Sequence, residues 1–301
     1  MDTYSGPIKS NLILILDLNG TAVHVLPLST QVAGNGTRGK LELGILERSD
    51  KKLLKEVNEN EMSFYQKIKV STTQANLRIS PHIPEFLGIQ KVFFTDSFGT
   101  CQKPFLILSD VTENWPLPNI VDIKIGFKTW NDFATMKKIS SKKSKPSETR
   151  NALGFTVKGM LVNSFSIGCK RPTVKKYGKS FGVALRPEDL NIILETFFDT
   201  KGYNFASECI CVILQKIYAI YDAFSKQKTY NFIGSSLLIA YDANAVQEYR
   251  TKKICIDKLG EFIAVKVIDF GNIQFSDGKE DGNFLNGLKN VIDMFEHYTN
   301  I

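Results

Sequence analysis

The stretch Pro118-Asn119-Ile120-Val121-Asp122-Ile123-Lys124-Ile125-Gly126 joins an apolar run to two charged residues. Residues 121–126 are typical of a β-strand, because apolar and polar side chains alternate along them. Asp122 and Lys124 are two positions apart, so their side chains lie on the same face of this strand. The sequence thus fixes a carboxylate beside an ammonium, either as an ordinary ion pair on an edge strand or as part of a binding site.

The residues before this stretch predict an N-terminal lobe, residues 1–109, built mainly from strands. Residues 12–28 predict a β-hairpin with Asn19-Gly20 at its turn. Further predicted elements are strands at 41–46, 52–57, 91–95 and 104–111 and a short helix after Asn60. The two prolines of residues 115–120 interrupt regular structure, so we place the boundary of the lobes here.

The C-terminal lobe, residues 110–301, mixes strands and helices. Beyond the quoted stretch, strands are predicted at 154–167, 235–242 and 262–270, and helices at 133–139, 187–199, 205–227 and 284–297. The polar run at 140–151 is expected to be mobile. Strands followed by such a mixture, without an internal repeat, indicate an α+β fold.

Composition narrows the class of protein. The 301 residues are 43% hydrophobic and 23% charged, as in a soluble folded protein. We expect no signal peptide and no membrane span, because the aliphatic run Leu12–Leu16 is far shorter than the ~20 residues that a span needs. Five cysteines and three histidines show no zinc-ligand spacing, so we expect reduced thiols in an intracellular protein, cytoplasmic or nuclear.

The positive charge is concentrated in one part of the chain. The net charge is +7, but residues 128–180 contain thirteen Lys and Arg against Asp132 and Glu148, a local net charge of +11. Because like charges repel one another, such a segment is either a solvated surface or a site for a polyanion such as nucleic acid, anionic lipid or a polyphosphate.

Two groups of residues have the composition of a phosphate site. Gly34, Gly36 and Gly39 form G-x-G-x-x-G between predicted strands, where backbone amides can approach phosphates, although a flexible hairpin loop has the same letters. Lys55 and Glu61 can place an ammonium on nucleotide phosphates with a carboxylate to orient it. The alternative for this pair is an exposed ion pair worth under ~1 kcal/mol.

Asp269 ends the apolar strand VKVIDF, where a rigidly held carboxylate suits a magnesium ion that bridges nucleotide phosphates, unless it is an ordinary turn aspartate. With a hinge at Ser109 to Val111, these pieces make an ATP site of the kinase type. A protein kinase also needs a His-Arg-Asp loop and a substrate lobe, but only thirty residues follow Gly271. The sequence therefore predicts ATP binding without peptide phosphorylation.

The quoted stretch resembles the P-x-x-x-D-x-K-x-G signature of the inositol polyphosphate kinase family. Other stretches resemble family motifs in the same chain order, namely Gln31–Gly34, Glu61–Tyr65, Ile83–Phe86, Leu108–Thr112, Leu153-Gly154, Gly159-Met160, Tyr177–Ser180, Ser235–Leu238, Tyr241-Asp242, Ile268–Phe270, Asp281-Gly282 and Gly287-Leu288. The resemblance covers residues 27–290. It implies a two-lobed, kinase-like ATP-grasping fold with an antiparallel sheet and a helix in the N-terminal lobe and a mixed sheet with helices in the C-terminal lobe.

The resemblance also implies roles for the ATP site. Lys55, oriented by Glu61, would bind the α- and β-phosphates, and the backbone at Ser109 and Val111 would contact adenine. Asp122 would hold the ribose hydroxyls.

Three further roles concern transfer of the phosphate. Asp269 would bind Mg²⁺, Ser236 would lie near the metal and phosphates, and Lys124 would reach both the transferring phosphate and the substrate. Lys124, Asp269 and Lys55 would thus be the catalytic residues.

The basic segment, about residues 128–152, would bind the inositol polyphosphate. A cation ~4 Å from a phosphate gains ~4 kcal/mol at an effective dielectric constant of 20, before desolvation. Lys138 and Lys179 lie where relatives have basic residues, and Lys142 is a further candidate for substrate binding.

The type of inositol phosphate kinase is less closely specified. The link between Gly126 and Gly154 lacks the long insertion typical of the trisphosphate 3-kinases, and the six-residue spacing from Lys55 to Glu61 resembles that of hexakisphosphate kinases. The resemblance therefore implies inositol hexakisphosphate as substrate, giving a diphosphoinositol phosphate. The alternative is a multikinase acting on ring hydroxyls of inositol tris- and tetrakisphosphates. Asn35 and Gly271-Asn272 depart from residues common in the family, which leaves the substrate open.

Two other classes of protein stay open. One is a non-catalytic scaffold that binds polyanions, and the other is a nuclear-import or nucleic-acid patch at residues 140–145. We expect a monomer without a stable nucleic-acid partner.

Overall fold

The computed structural model describes residues 13–16, 22–32, 44–96, 99–130, 147–164, 172–198 and 207–299. The glycine loop at 34–39, the predicted helix at 133–139 and the substrate candidates Lys138 and Lys142 lie outside the described residues.

The first part of the chain forms a six-stranded sheet in the order β1-β2-β3-β4-β6-β5. Its strands are β1 (Ile13–Leu16), β2 (Ala22–Pro27), β3 (Ile45–Arg48), β4 (Lys52–Glu56), β5 (Phe86–Asp96) and β6 (Gly99–Ser109). All neighbours are antiparallel, and the pairing of β1 with β2 agrees with the predicted hairpin. Lys55 is opposite Ile45 on one side and Leu106 on the other, so a paired strand fixes its position.

Helix α1 (Glu59–Val70) begins where the sequence predicts a helix. The Asn58 side chain caps it by accepting hydrogen bonds from the backbone N–H groups of Asn60 (3.1 Å) and Glu61 (3.3 Å). Acidic residues at the first turn favour the positive end of the helix dipole. The cap therefore sets the register that carries Glu61 toward Lys55. Helix α2 (Gln74–Ile79) and a 3₁₀ turn (Ser80–His82) lead on to β5.

The rest of the chain is built on a five-stranded sheet in the order β12-β11-β7-β8-β9. Its strands are β7 (Pro118–Ile125), β8 (Phe155–Ser164), β9 (Thr173–Tyr177), β11 (Ser236–Asp242) and β12 (Ile263–Ile268), and β10 (Tyr230–Asn231) pairs separately with β13 (Gln274–Phe275). Every pair is antiparallel, which corrects the predicted mixed sheet. The quoted stretch forms β7, the central strand and not an edge strand.

Helices cover this sheet: α3 (Glu148–Leu153), α4 (Lys179–Ala184), α5 (Leu190–Phe198, after a 3₁₀ turn at Pro187–Asp189), α6 (Ser207–Ser225), α7 (Ala243–Arg250), α8 (Ile256–Glu261) and α9 (Gly282–Thr299). The helices predicted at 187–199, 205–227 and 284–297 are thus present. Within the described ranges, no helix has the length and apolar character that crossing a membrane requires.

Helix α3 corrects the expectation of a mobile run at 140–151 for its last five residues. The Ser147 hydroxyl accepts from the Arg150 N–H (3.4 Å) as an N-cap, and Thr149 and Arg150 are buried. A cap and burial outweigh the polar composition here.

Helix α9 approaches the sheet closely at Gly287. A Cβ added at Gly287 would lie 2.4 Å from the Gly154 carbonyl oxygen and 3.0 Å from the Gly126 nitrogen. Those two groups are hydrogen-bonded to each other at 2.6 Å, so neither can move freely. The motif glycines at 126, 154 and 287 therefore meet at one packing point beside the end of β7.

We expect Gly287→Ala to lower the free energy of unfolding by ~1–3 kcal/mol, the usual cost of overpacking. Urea unfolding measures this change. Gly260→Ala on α8 is the control, because its Cβ would meet nothing within 4 Å and alanine favours a helix. Equal stability of Gly287→Ala and the wild type would contradict this packing.

Candidate active site

Lys55 connects the two carboxylates that the sequence placed in an ATP site. Its Nζ lies 2.8 Å from Glu61 Oε1 and 2.6 Å from Asp269 Oδ1. Burial alone would lower the pKa of Lys55, but the two carboxylates outweigh it and raise the pKa. The alternative of an exposed surface pair is therefore wrong, since the Glu61 side chain is only 3% exposed.

The backbone at Asp269 turns its carboxylate toward Lys55. Asp269 has φ 66°, a left-handed conformation that Asp and Asn tolerate better than most residues. The Ser235 hydroxyl donates to the Asp269 carbonyl (2.9 Å), and the Phe270 N–H donates to Glu61 Oε1 (3.1 Å). This turn is thus tied to both α1 and the residue before β11.

Phe270 anchors the same turn in the core. Its ring is fully buried and lies 4.4 Å from the Phe64 ring and 5.4 Å from the Tyr65 ring, measured between centroids. Because both partners belong to α1, the packing holds Glu61 and Asp269 in one rigid unit.

A cleft with about 770 Å³ of open space lies next to these residues. Lys55, Glu61, Asp122 and Asp269 form its polar wall. Its apolar wall consists of Leu28, Val32, Ile45, Leu53, Leu108, Ile120, Leu238 and Ile268. Such a slot, apolar with a few convergent charges at one end, has the character of a nucleotide-binding site.

Ser109 and Val111 line the cleft at the hinge. The Ser109 N–H already donates to the Glu85 carbonyl (3.0 Å), and its hydroxyl accepts from the Glu85 N–H (2.9 Å). The adenine contact predicted for the Ser109 backbone would therefore use its carbonyl oxygen and not its N–H group. Asp110 stabilises the hinge by accepting from both the N–H and the hydroxyl of Thr112, each at 2.8 Å.

Asp122 is buried at the cleft with an unsatisfied oxygen. Burial and the Asp269 charge raise its pKa to about 6, while a hydrogen bond from the Ser236 hydroxyl lowers it. Within the described residues its Oδ1 has no hydrogen-bond partner. Since a buried oxygen without a partner is costly, it fits a ligand hydroxyl such as those of ribose. Ser236 is itself buried and supports Asp122, so its contact with phosphates stays a prediction.

Lys124 lies on the same strand, directly opposite Ser236 in the sheet. Burial lowers the pKa of Lys124, although Asp269 and Asp122 partly oppose the shift. Its Nζ packs within 3.3 Å of where a Cβ on Gly234 would lie. Among the described residues, no hydrogen bond or ion pair to this ammonium is seen. Lys124 is therefore available for an anionic ligand.

Lys158 is a basic residue that sequence reasoning did not single out. Burial, Lys124 and Lys179 lower its pKa to about 8, and Asp122 and Arg150 also act on it. It therefore lies among the predicted site residues, and Lys179 is exposed at the start of α4 nearby. In the sequence, Lys158 was one of the basic residues of 128–180 and lay within the predicted strand 154–167.

The side chains that could bind a metal here fit a Mg²⁺ ion held mainly by the phosphates of ATP. No group of three or more His, Cys, Asp or Glu side chains able to hold a metal occurs in the described parts of the chain. Magnesium typically uses one or two carboxylates together with substrate phosphates. Lys55 and Lys124 overcome the effect of burial and lower the pKa of Asp269, so this carboxylate is ionised and suited to the ion.

The structure thus brings Lys55, Asp122 and Asp269 to one cleft and Lys124 next to it. This convergence is what the sequence interpretation required. The functional role of each residue stays a prediction.

Comparisons with known proteins agree with this geometry. The profile of the inositol polyphosphate kinase family matches residues 105–296. Mouse inositol polyphosphate multikinase is 30% identical over 266 residues, which are 86% of this chain and 62% of that protein. Mouse inositol hexakisphosphate kinase 3 is 28% identical over 205 residues, which are 63% of this chain and 50% of that protein.

A solved structure shares the fold. An inositol phosphate multikinase from S. cerevisiae, in complex with ADP and Mn²⁺, superposes with a TM-score of 0.65 at 20% identity, covering 82% of this chain and 98% of that one. This similarity confirms the two-lobed kinase-like α+β fold. Because the family profile covers more than half of the sequence, the chain belongs to the inositol polyphosphate kinase family.

Proposed function

We propose that this protein is an ATP-dependent inositol polyphosphate kinase of the multikinase type. It transfers the γ-phosphate of ATP to a ring hydroxyl of an inositol tris- or tetrakisphosphate. The observation that carries the proposal is the Lys55–Glu61–Asp269 ion-pair cluster beside Asp122 and the unpaired ammonium of Lys124. Among the described residues, the Lys124 ammonium has no counter-ion, and its position beside the cleft favours a ligand with several phosphates.

Each residue of the cleft has a role in this reaction. Lys55 binds the α- and β-phosphates and Asp122 holds the ribose. Asp269 holds Mg²⁺, which when bound neutralises charge on the phosphates. Lys124 lies between nucleotide and substrate and stabilises the equatorial oxygens of the transferring group. Catalysis is then mostly orientation and charge stabilisation.

Similarity to known proteins favours the multikinase type. The spacing of Lys55 and Glu61 had favoured the hexakisphosphate kinase type. The match to the mouse multikinase covers more of this chain, at slightly higher identity, than the match to the mouse hexakisphosphate kinase. This chain spans about six tenths of the mouse multikinase. Chemically, the two types differ in the acceptor: a free ring hydroxyl gives a phosphate ester, whereas inositol hexakisphosphate has none and gives a diphosphate.

Incubation with Mg²⁺ and ATP and a panel of inositol tris-, tetrakis-, pentakis- and hexakisphosphates tests the proposal. We expect phosphate esters from the tris- and tetrakisphosphates, and a kcat/KM for inositol hexakisphosphate lower by about tenfold or more, a difference of ~1.4 kcal/mol in transition-state binding. Chromatography with acid-hydrolysis of the products separates esters from diphosphates.

Preferred formation of a diphosphate would instead support the hexakisphosphate kinase. No product from any substrate, with intact binding of the polyphosphates, would support the non-catalytic scaffold.

A further inference from the structure

Lys158 lies at an irregularity of the sheet beside the catalytic strand. On β8, Thr156 is opposite Lys124 and Val157 is opposite Ile123, but Gly159 and not Lys158 is opposite Asp122. One extra residue on β8 thus forms a β-bulge at Lys158. Bulges re-aim side chains and are common next to active sites.

The bulge is held in place from the other side. A Cβ on Gly159 would lie 1.9 Å from the Val32 carbonyl oxygen, so only glycine permits this approach. Val32 also lines the cleft. The backbone that positions Lys158 is therefore packed directly against the cleft wall.

Positive charge predominates around Lys158. The charges that act on it are those of Lys124, Lys179 and Arg150, opposed by the Asp122 carboxylate. In the described ranges of the chain, Lys158 itself has no hydrogen bond or ion pair. A half-buried ammonium among three cations is unfavourable unless an anion joins it.

We propose that Lys158 is a specificity-determining residue that binds a phosphate group of the inositol polyphosphate, next to Lys124. This inference rests on the proposed function and adds a contact on β8 to the predicted substrate residues. The Lys158 ammonium contacts the phosphate that lies next to the acceptor position on the inositol ring. This contact is to the substrate and not to ATP. Substrates that carry a phosphate at this position are preferred.

The test compares Lys158→Met with Lys91→Met, which removes the same charge from an exposed site on β5. For Lys158→Met, we expect the KM for inositol tetrakisphosphate to rise ~10–100-fold, as for loss of a hydrogen bond to a charged group. The KM for ATP should stay within twofold. Lys158→Arg, which keeps the charge, should restore most of the affinity.

A pH profile adds a readout that a structural role would not move. Because the pKa of Lys158 is about 8, its ammonium is lost as pH rises through 8, and kcat/KM for the polyphosphate should fall there. Asp122 is already ionised in this range, Arg150 stays charged, and Lys124 and Lys179 are the same in both proteins. The fall should therefore be smaller in Lys158→Arg than in the wild type.

Calorimetric binding of inositol tetrakisphosphate to the nucleotide-free protein separates this inference from the proposed function. Weaker binding by Lys158→Met, with Lys91→Met unchanged, supports the phosphate contact even if no product forms. If product forms but Lys158→Met and Lys91→Met have equal KM values and affinities, the inference is overturned and the kinase activity stands.

Discussion

Asp269→Asn is expected to lower kcat/KM by about 10³-fold while the protein stays folded. The loss follows because a neutral amide would hold Mg²⁺ more weakly than the carboxylate does, and the ion would supply charge stabilisation to the transferring phosphoryl group. Folding should persist because Asn is nearly isosteric and tolerates the left-handed φ of 66° at this position. Steady-state kinetics and thermal unfolding together measure the two effects.

Metal dependence makes this prediction more specific. The affinity of the wild type for ATP should rise when Mg²⁺ or Mn²⁺ is added, and Asp269→Asn should lose most of that increase. Asp293→Asn is the control, since in the described residues this partly exposed carboxylate forms its ion pair with Lys289 on α9 at 3.0 Å. Full activity in Asp269→Asn would overturn the metal assignment.

Lys124→Met and Lys55→Met should each lower kcat/KM by about 10²-fold or more. Their effects on the free energy of unfolding should differ. Burial lowers the pKa of Lys124, so its charge destabilises the fold at neutral pH and methionine should be neutral or stabilising. The carboxylates raise the pKa of Lys55, so its charge stabilises the fold. Lys55→Met leaves Glu61 buried without its partner, at a cost of about 3–5 kcal/mol.

Urea unfolding at neutral pH measures the contrast, and each variant serves as the other's control for the loss of one positive charge. Equal destabilisation by both substitutions would contradict the view that Lys124 is held without a counter-ion for its ligand. Retained activity in Lys124→Met would remove this residue from the catalytic group.

Local patterns predicted much of the fold. Alternation in VDIKIG predicted that Asp122 and Lys124 share a face, and the structure confirms the strand. Apolar spacing after Asn60 predicted the helix that the structure shows as α1, and Asn19-Gly20 predicted the hairpin of β1 and β2. These features depend on neighbours in sequence, so the chain itself carries them.

Features that depend on distant residues were not predicted. The bulge at Lys158 adjoins Gly159, which packs against Val32, more than a hundred residues away. Strand β9 was missed because its sequence, TVKKY, is exposed and polar and has no apolar periodicity. The antiparallel order of the second sheet likewise follows from connections that no local pattern encodes.

Motifs in the sequence predicted which residues form the site. The contacts and charges between them became visible only in the structure. Sequence motifs grouped Lys55, Glu61 and Asp269 in one site, but they did not predict the 2.6 Å contact between Lys55 and Asp269. They also assigned an adenine contact to Ser109 without showing that its N–H is already bonded to Glu85.

A crystal structure with Mn²⁺ and a non-hydrolysable ATP analogue tests the central claim most directly, because the anomalous signal of manganese locates the metal independently of the phosphates. The account predicts a manganese peak in contact with the Asp269 carboxylate, phosphates at Lys55 and the ribose at Asp122. A nucleotide bound elsewhere, or a manganese ion without contact to Asp269, would contradict it.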